Sequence, residues 1–237
     1  MNINSKYWLV GIALLFVNVA QAGITLGGTR LVLQEKNKEV SILVKNDGAE
    51  DIMIQSWVES NDQQKLDDVP FALTPALSRL AAGKQQSLRI FYFGRGLAAD
   101  KESVFWLNVQ EIPQKAKVDN TLQIALRQRI KVFYRPAELT GTVQDSIKAL
   151  RWKWVSGQGK QYVQVTNPSV YHVSFSTAHV SVGGKRYPVS TEMVLPGTTT
   201  KFPITSTSAI TGTEATLVFL TINDYGAPVE NIVSLSE

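Results

Sequence analysis

TLQIALRQRIKVFYR, residues 121–135, alternates without a break. Leu122, Ile124, Leu126, Gln128, Ile130, Val132 and Tyr134 share one parity, and Gln123, Ala125, Arg127, Arg129, Lys131, Phe133 and Arg135 share the other. Side chains on a strand point to opposite faces in turn, so this period of two reads as a β-strand about twice the usual length. A globular core seldom needs so much strand. Part of it is expected to project beyond its sheet or to lie at an edge, where free backbone groups recruit other chains. Pro136 closes the strand, because it has no amide hydrogen to donate and restricts the residue before it.

Upstream of this stretch the pattern is of short strands. Ile24–Leu33 is expected to bend at Gly27-Gly28, and Val40–Lys45, Ile52–Trp57, Gln86–Phe93 and Val104–Gln110 follow, with turn residues between them. Phe71–Leu80 is interrupted by Pro75, which argues against a central strand there. With no convincing helix before Pro136, the N-terminal part reads as a β-sandwich. Downstream, Leu150–Val155, Tyr162–Thr166, Val170–Val180, Lys185–Ser190, Thr200–Ile204, Thr216–Ile222 and Ile232–Leu235 suggest a second, smaller β-domain. The chain is therefore expected to be all-β, with a segment 1–22, a first domain 23–137 and a second 138–237.

Met1–Ala22 has the form of a secretory signal sequence. Lys6 precedes an apolar run from Tyr7 to Ala20, and Ala20-Gln21-Ala22 supplies small residues for cleavage before Gly23. The run is shorter than the ~20 residues a spanning helix requires, so no membrane anchor is expected in the mature form. The 237-residue chain has no cysteine, which leaves neither a disulfide framework nor thiol chemistry. Its formal charge of +4 includes Lys6, and the remaining basic residues are scattered, so nucleic acid is not an expected partner.

No catalytic residues, metal ligands or cofactor are expected. His172 and His179 lie seven apart, which puts them on opposite faces of a strand, and they read as single surface histidines. No nucleophile elbow or lysine-terminated phosphate loop occurs, so neither hydrolase chemistry nor a bound nucleotide is indicated. Carboxylates are plentiful without any spacing that pairs them. A binding module is favoured over an enzyme. One alternative is a secreted carbohydrate-binding or adhesin protein that uses Trp152 and Trp154, which share a parity, as stacking residues; they fit a core equally well.

Asn120–Pro136, NTLQIALRQRIKVFYRP, closely resembles the hallmark strand of the periplasmic pilus-assembly chaperones of Gram-negative bacteria. Further matches lie in the family's order at Thr29-Arg30, Phe105–Val109 with Glu111-Ile112-Pro113, and Ile222–Gly226. The resemblance implies two immunoglobulin-like sandwiches set at an angle about a cleft. It implies a periplasmic chaperone of the chaperone–usher pathway, whose long strand completes a pilin subunit lacking one of its own and hands it to an outer-membrane usher. The short Pro113–Thr121 connection resembles the branch that assembles rod-like pili. By position, Leu122, Ile124 and Leu126 match the residues that enter the pilin groove. Arg30 and Lys131 match the pair that holds the subunit's terminal carboxylate. Glu102, Arg135 and Asp224 match an interdomain charge network. Lys131 and Leu122 have opposite parities, so the strand is expected to serve these sites from different faces.

Overall fold

A computed structural model describes residues 23–60, 69–114, 122–157, 160–206, 210 and 214–235. The signal-like segment, Thr121 and most of the Pro113–Thr121 connection lie outside the described residues.

Two β-sandwiches follow one another along the chain. In the first, one sheet orders β1 (Ile24–Leu26), β3 (Glu39–Asn46), β7 (Gln85–Tyr92) and β5 (Phe71–Thr74). The facing sheet orders β2 (Arg30–Gln34), β9 (Arg127–Arg135), β8 (Ser103–Ile112), β4 (Ile52–Ser60) and β6 (Leu77–Leu80). Gly27 and Gly28 separate β1 from β2, and the chain changes sheet there, as the expected bend requires. Pro75 likewise divides β5 from β6, which belong to different sheets. Between the sheets lie Leu31, Leu33, Val44, Ile54, Leu88, Ile90, Phe105, Leu107, Val109, Val132 and Tyr134, all buried.

The long strand is shorter than its alternation predicts. Pairing begins at Arg127, and residues 122–126 run outside any sheet. Nor is β9 an outer strand over its full length. It lies antiparallel to β8 from Arg127 to Tyr134 and parallel to β2 from Lys131 to Arg135, so its β2 side is covered only in its second half. Ile130, Val132 and Tyr134 point into the sandwich, whereas Lys131, Phe133 and Arg135 lie on the opposite face.

The second sandwich packs β10 (Arg151–Gly157), β11 (Lys160–Thr166) and β14 (Thr199–Pro203) against β13 (Lys185–Val189), β12 (Phe175–Val182), β15 (Ala215–Ile222) and β16 (Pro228–Leu235). A short helix absent from the sequence reading, α1 (Val143–Lys148), stands before it. Thr142 and Asp145 cap it reciprocally: the Asp145 amide donates to Thr142 Oγ1 at 3.2 Å, and the Thr142 amide to Asp145 Oδ2 at 3.0 Å. Two further expectations need correction. Residues 170–174 precede β12 as an irregular segment that makes a single bridge, Val173 to Val194. Trp152 and Trp154 are half-buried against the second core, where Trp152 packs beside Phe175, Phe202 and Phe219, so they do not form an open stacking platform.

Candidate functional site

The site is built on the outward face of β9 and on the segment that leads into it. In the parallel register of β2 and β9, Arg30 stands directly opposite Lys131. Paired residues on neighbouring strands share a face, so the two cations lie side by side. Trp106 of β8 occupies the next place in the same row, and its indole ring takes Lys131 Nζ at 5.5 Å and Arg129 Cζ at 4.2 Å from its centroid. These are distances at which a ring's negative face attracts a cation.

The second sandwich meets this face. Arg30 donates from Nη1 to the Ile222 carbonyl at 3.0 Å and lies over the Phe133 ring at 5.5 Å, while its Nε is buried without a hydrogen-bond partner. Burial lowers the pKa of Arg30 despite the nearby charges of Asp224 and Glu102. Lys131 is lowered by burial and then by Arg30 beside it. No described carboxylate lies within ion-pair distance of either. Two neighbouring, half-desolvated cations repel each other, and an incoming carboxylate would relieve that repulsion, taking the planar fork of Arg30 and the point charge of Lys131.

Glu102, Arg135 and Asp224 do come together across the two sandwiches. Arg135 donates from Nε to Glu102 Oε1 at 2.7 Å, and from Nη1 and Nη2 to the two oxygens of Asp224 at 2.6 and 2.7 Å. Burial opposes the charge on Arg135, but the bonds to Asp224 and the charge of Glu102 outweigh it and hold the guanidinium above its ordinary pKa. The second oxygen of Glu102 faces His172, accepting from its backbone amide at 2.8 Å and meeting Nδ1 at 2.8 Å. His172 is therefore buried in the network, against the sequence expectation of a surface residue. The Glu102 amide also donates to the Val170 carbonyl at 2.9 Å. The surface expectation for His172 came from carrying the strand alternation back over residues 170–174, where the chain is irregular and parity assigns no face. Gly226, in the loop carrying Asp224, approaches the first sandwich so closely that a Cβ there would fall 2.2 Å from Thr29 Oγ1. Its φ of +83° independently favours glycine.

On the other parity, the apolar row splits. Ile130, Val132 and Tyr134 are buried in the first core. Leu122, Ile124 and Leu126 are 86%, 68% and 42% exposed. The difference in parity between Lys131 and Leu122 thus follows from one geometry: one face of the strand meets the second sandwich, and the other fills the first core and then runs past it. Among the described residues no group of three or more His, Cys, Asp or Glu is placed to hold a metal.

Known proteins agree with this architecture. Residues 23–140 match the N-terminal domain family described as pili and flagellar-assembly chaperone, and residues 145–232 match the C-terminal domain of pili assembly chaperones, both of PapD type. The probable fimbrial chaperone YadV of Escherichia coli K12 is 36% identical over 224 residues, covering 91% of each chain. The chaperone protein FimB/FhaD of Bordetella pertussis is 32% identical over 217 residues, covering 87% of this chain and 86% of that one. The crystal structure of YadV superposes with a TM-score of 0.79 at 34% identity, over 90% of this chain and all of that one. The Salmonella enterica SafB chaperone, solved in complex with SafA pilin, gives 0.74 at 25% identity, over 91% and 96%. With both sandwiches matched in order and the fold reproduced over nine-tenths of its length, the chain belongs to the PapD-like periplasmic chaperones of fimbrial and pilus assembly, in the chaperone–usher pathway.

Proposed function

We propose that this chaperone captures pilin subunits by lending Leu122, Ile124 and Leu126 to an incomplete subunit sandwich, and passes them to an outer-membrane usher. The observation that carries the reading is the continuation of a buried row, Ile130, Val132 and Tyr134, into an exposed row of the same parity. A sandwich lacking a strand exposes unpaired amides and carbonyls beside an apolar groove, both costly to leave uncovered. An extended donor segment pairs the backbone and places alternate side chains in successive pockets. Each side chain removed from water adds roughly 1.5 to 3 kcal/mol. No nucleotide is needed, because the binding free energy comes from burial and pairing.

In this reading Arg30 and Lys131 hold the subunit's terminal carboxylate, which fixes the register of the added strand. Glu102, Arg135 and Asp224, joined by His172, hold the two domains, divided between residues 137 and 138, at the angle that keeps both anchors in reach. Residues 1–22 direct the chain to the periplasm and are removed before Gly23. The test is co-expression with a pilin and recovery of the complex. A carboxylate-anchored, strand-donating chaperone loses the complex on Lys131→Ala or Ile124→Asp while remaining folded. Undiminished recovery with both substitutions present would refute the assignment.

A further inference from the structure

Glu111 is a carboxylate that the chaperone reading leaves without a task. It lies on β8 with the parity of Phe105, Leu107 and Val109, so its side chain turns toward the core at the strand's end. The residue is 9% exposed, and Oε2 is buried without a hydrogen-bond partner. Burial raises its pKa. Its backbone amide donates to the Leu126 carbonyl at 2.9 Å, which puts it at the foot of the donor segment. An open cavity of about 380 Å³ adjoins it, lined among others by Gly23, Ile124 and Leu126.

Gly23 packs close to this carboxylate. A Cβ at Gly23 would stand 3.2 Å from Glu111 Oε2 and 2.9 Å from Leu126 Cδ1. Covalent geometry then puts the Gly23 nitrogen within about 6 Å of the oxygen. The Gly23 carbonyl is already tied down by the Asp47 amide at 3.2 Å. Other charges nearby have partners: Asp47 meets Lys45 and Thr25, and Asp51 meets Arg79 and the Ala82 amide. Glu50 also lines the cavity. No described lysine or arginine pairs with Glu111.

We infer that once the chain begins at Gly23, its new α-ammonium pairs with Glu111 and pins β1 against the foot of the donor segment. The inference rests on the export reading, since an uncleaved chain has a neutral amide at this position. Cleavage supplies the positive charge that the buried carboxylate lacks, and leaving such a charge uncompensated is costly. It also frees the nitrogen to turn toward the oxygen. Processing thereby completes the base from which Leu126, Ile124 and Leu122 project, so that only the processed chain presents them from a fixed footing.

The experiment compares four purified proteins: the chain starting at Gly23 and the chain retaining Ala22, each as wild type and as Glu111→Gln. Mass measurement of the exported protein tests the cleavage site separately, and a Gly23 start made by a specific protease in vitro tests the pairing whatever that mass shows. In the wild type starting at Gly23, the α-ammonium pKa, read by NMR of labelled glycine, should stand at least about one unit above its ordinary ~8, and it should return to ordinary in Glu111→Gln. A raised folded pKa gives stability that is present below about pH 8 and lost as pH rises through the raised value. At pH 7, retaining Ala22 should therefore shift the unfolding equilibrium about tenfold in wild type and less than twofold in Glu111→Gln. An ordinary α-ammonium pKa in wild type, or equal penalties from Ala22 in both backgrounds, would overturn the pairing.

Discussion

Residues 122–126 and 127–135 continue one alternation, yet they have opposite fates. In the second stretch, β8 pairs with the backbone as far as Tyr134, β2 covers the other side from Lys131, and the apolar parity is sealed beneath the facing sheet. In the first, the same parity stands in the open, with Leu122 86% and Ile124 68% exposed. Periodicity therefore states which side chains share a face, while the tertiary structure decides whether anything covers that face. A polar outer segment would have ended the strand at no cost to this sandwich, so the three large apolar residues outside the completed core are what the proposed donor surface requires.

The sharpest way to break this contrast is to place the same charge at both positions. Val132→Asp puts a carboxylate into a site with no exposure at all and should cost more than about 4 kcal/mol, unfolding the first sandwich. Ile124→Asp should leave the melting temperature of the free protein within a degree or two and abolish pilin capture, and Gln123→Asp should do less damage to capture. A melting temperature that falls equally for Val132→Asp and Ile124→Asp would mean that residue 124 belongs to the protein's own core.

Next in size is Arg135, on the face toward the second sandwich. Arg135→Ala removes the guanidinium that bridges buried Glu102 to Asp224 and leaves Glu102 with only its contacts to His172, at a cost of roughly 3 to 5 kcal/mol. Each sandwich retains its own core, so the loss should appear between them. Solution scattering of the free protein should broaden, and amide exchange should quicken around residues 170–174 and 222–226. An unchanged scattering profile together with a complete binding defect would assign Arg135 to the client instead.

A substitution at Lys131 should act chiefly on the complex. Losing one partner of a buried carboxylate costs about 2 to 5 kcal/mol of binding, so Lys131→Ala and Arg30→Ala should each weaken pilin affinity thirtyfold or more in titration calorimetry. The sign of the pH effect follows from burial. In the free protein burial and Arg30 lower the Lys131 pKa, so protonation there opposes stability below that value, and the penalty fades as pH rises from it toward the ordinary lysine value. Binding has the opposite dependence: a client carboxylate favours the ammonium, so affinity should fall as pH climbs through the lowered pKa, short of the ordinary lysine value of about 10.4. Lys131→Arg should retain affinity over that range.

Much of this was legible in the letters, and the gaps have physical causes. Alternation located most strands, the expected bend at Gly27-Gly28 and break at Pro75 fall where the chain changes sheet, and the resemblance along β9 paired Arg30 with Lys131 before any register was known. What stayed hidden depends on tertiary contact. The true start of β9 is set by where β8 offers a partner, which alternation does not record. His172 joins the charge network from an irregular segment, through its backbone amide as much as its ring. Trp152 belongs to an aromatic cluster because Phe175, Phe202 and Phe219 converge on it from three other strands. Glu111 enters the sequence reading only within the Glu111-Ile112-Pro113 match, and the burial of its oxygen beside Gly23 depends on a contact between distant stretches of chain.

The smallest effects resolve the donor row itself. Truncating Leu122, Ile124 or Leu126 to alanine removes apolar area from any complex at about 25 cal/mol per Å², so each should weaken pilin binding by roughly 1.5 to 3 kcal/mol. Their exposures in the free protein predict different side effects. Leu122 at 86% has almost nothing to lose before a client arrives, so Leu122→Ala should leave the free protein's stability unchanged. Leu126 at 42% already packs near Gly23, and its carbonyl accepts from the Glu111 amide, so part of its burial predates binding. Leu126→Ala should therefore destabilise the free chaperone by several tenths of a kcal/mol and weaken capture least of the three. Denaturant unfolding paired with calorimetry on each variant measures both quantities. If Leu126→Ala proved the most damaging to capture with no change in free stability, the row would not be graded from an anchored foot to a free tip, and residue 126 would be as much a client contact as residue 122.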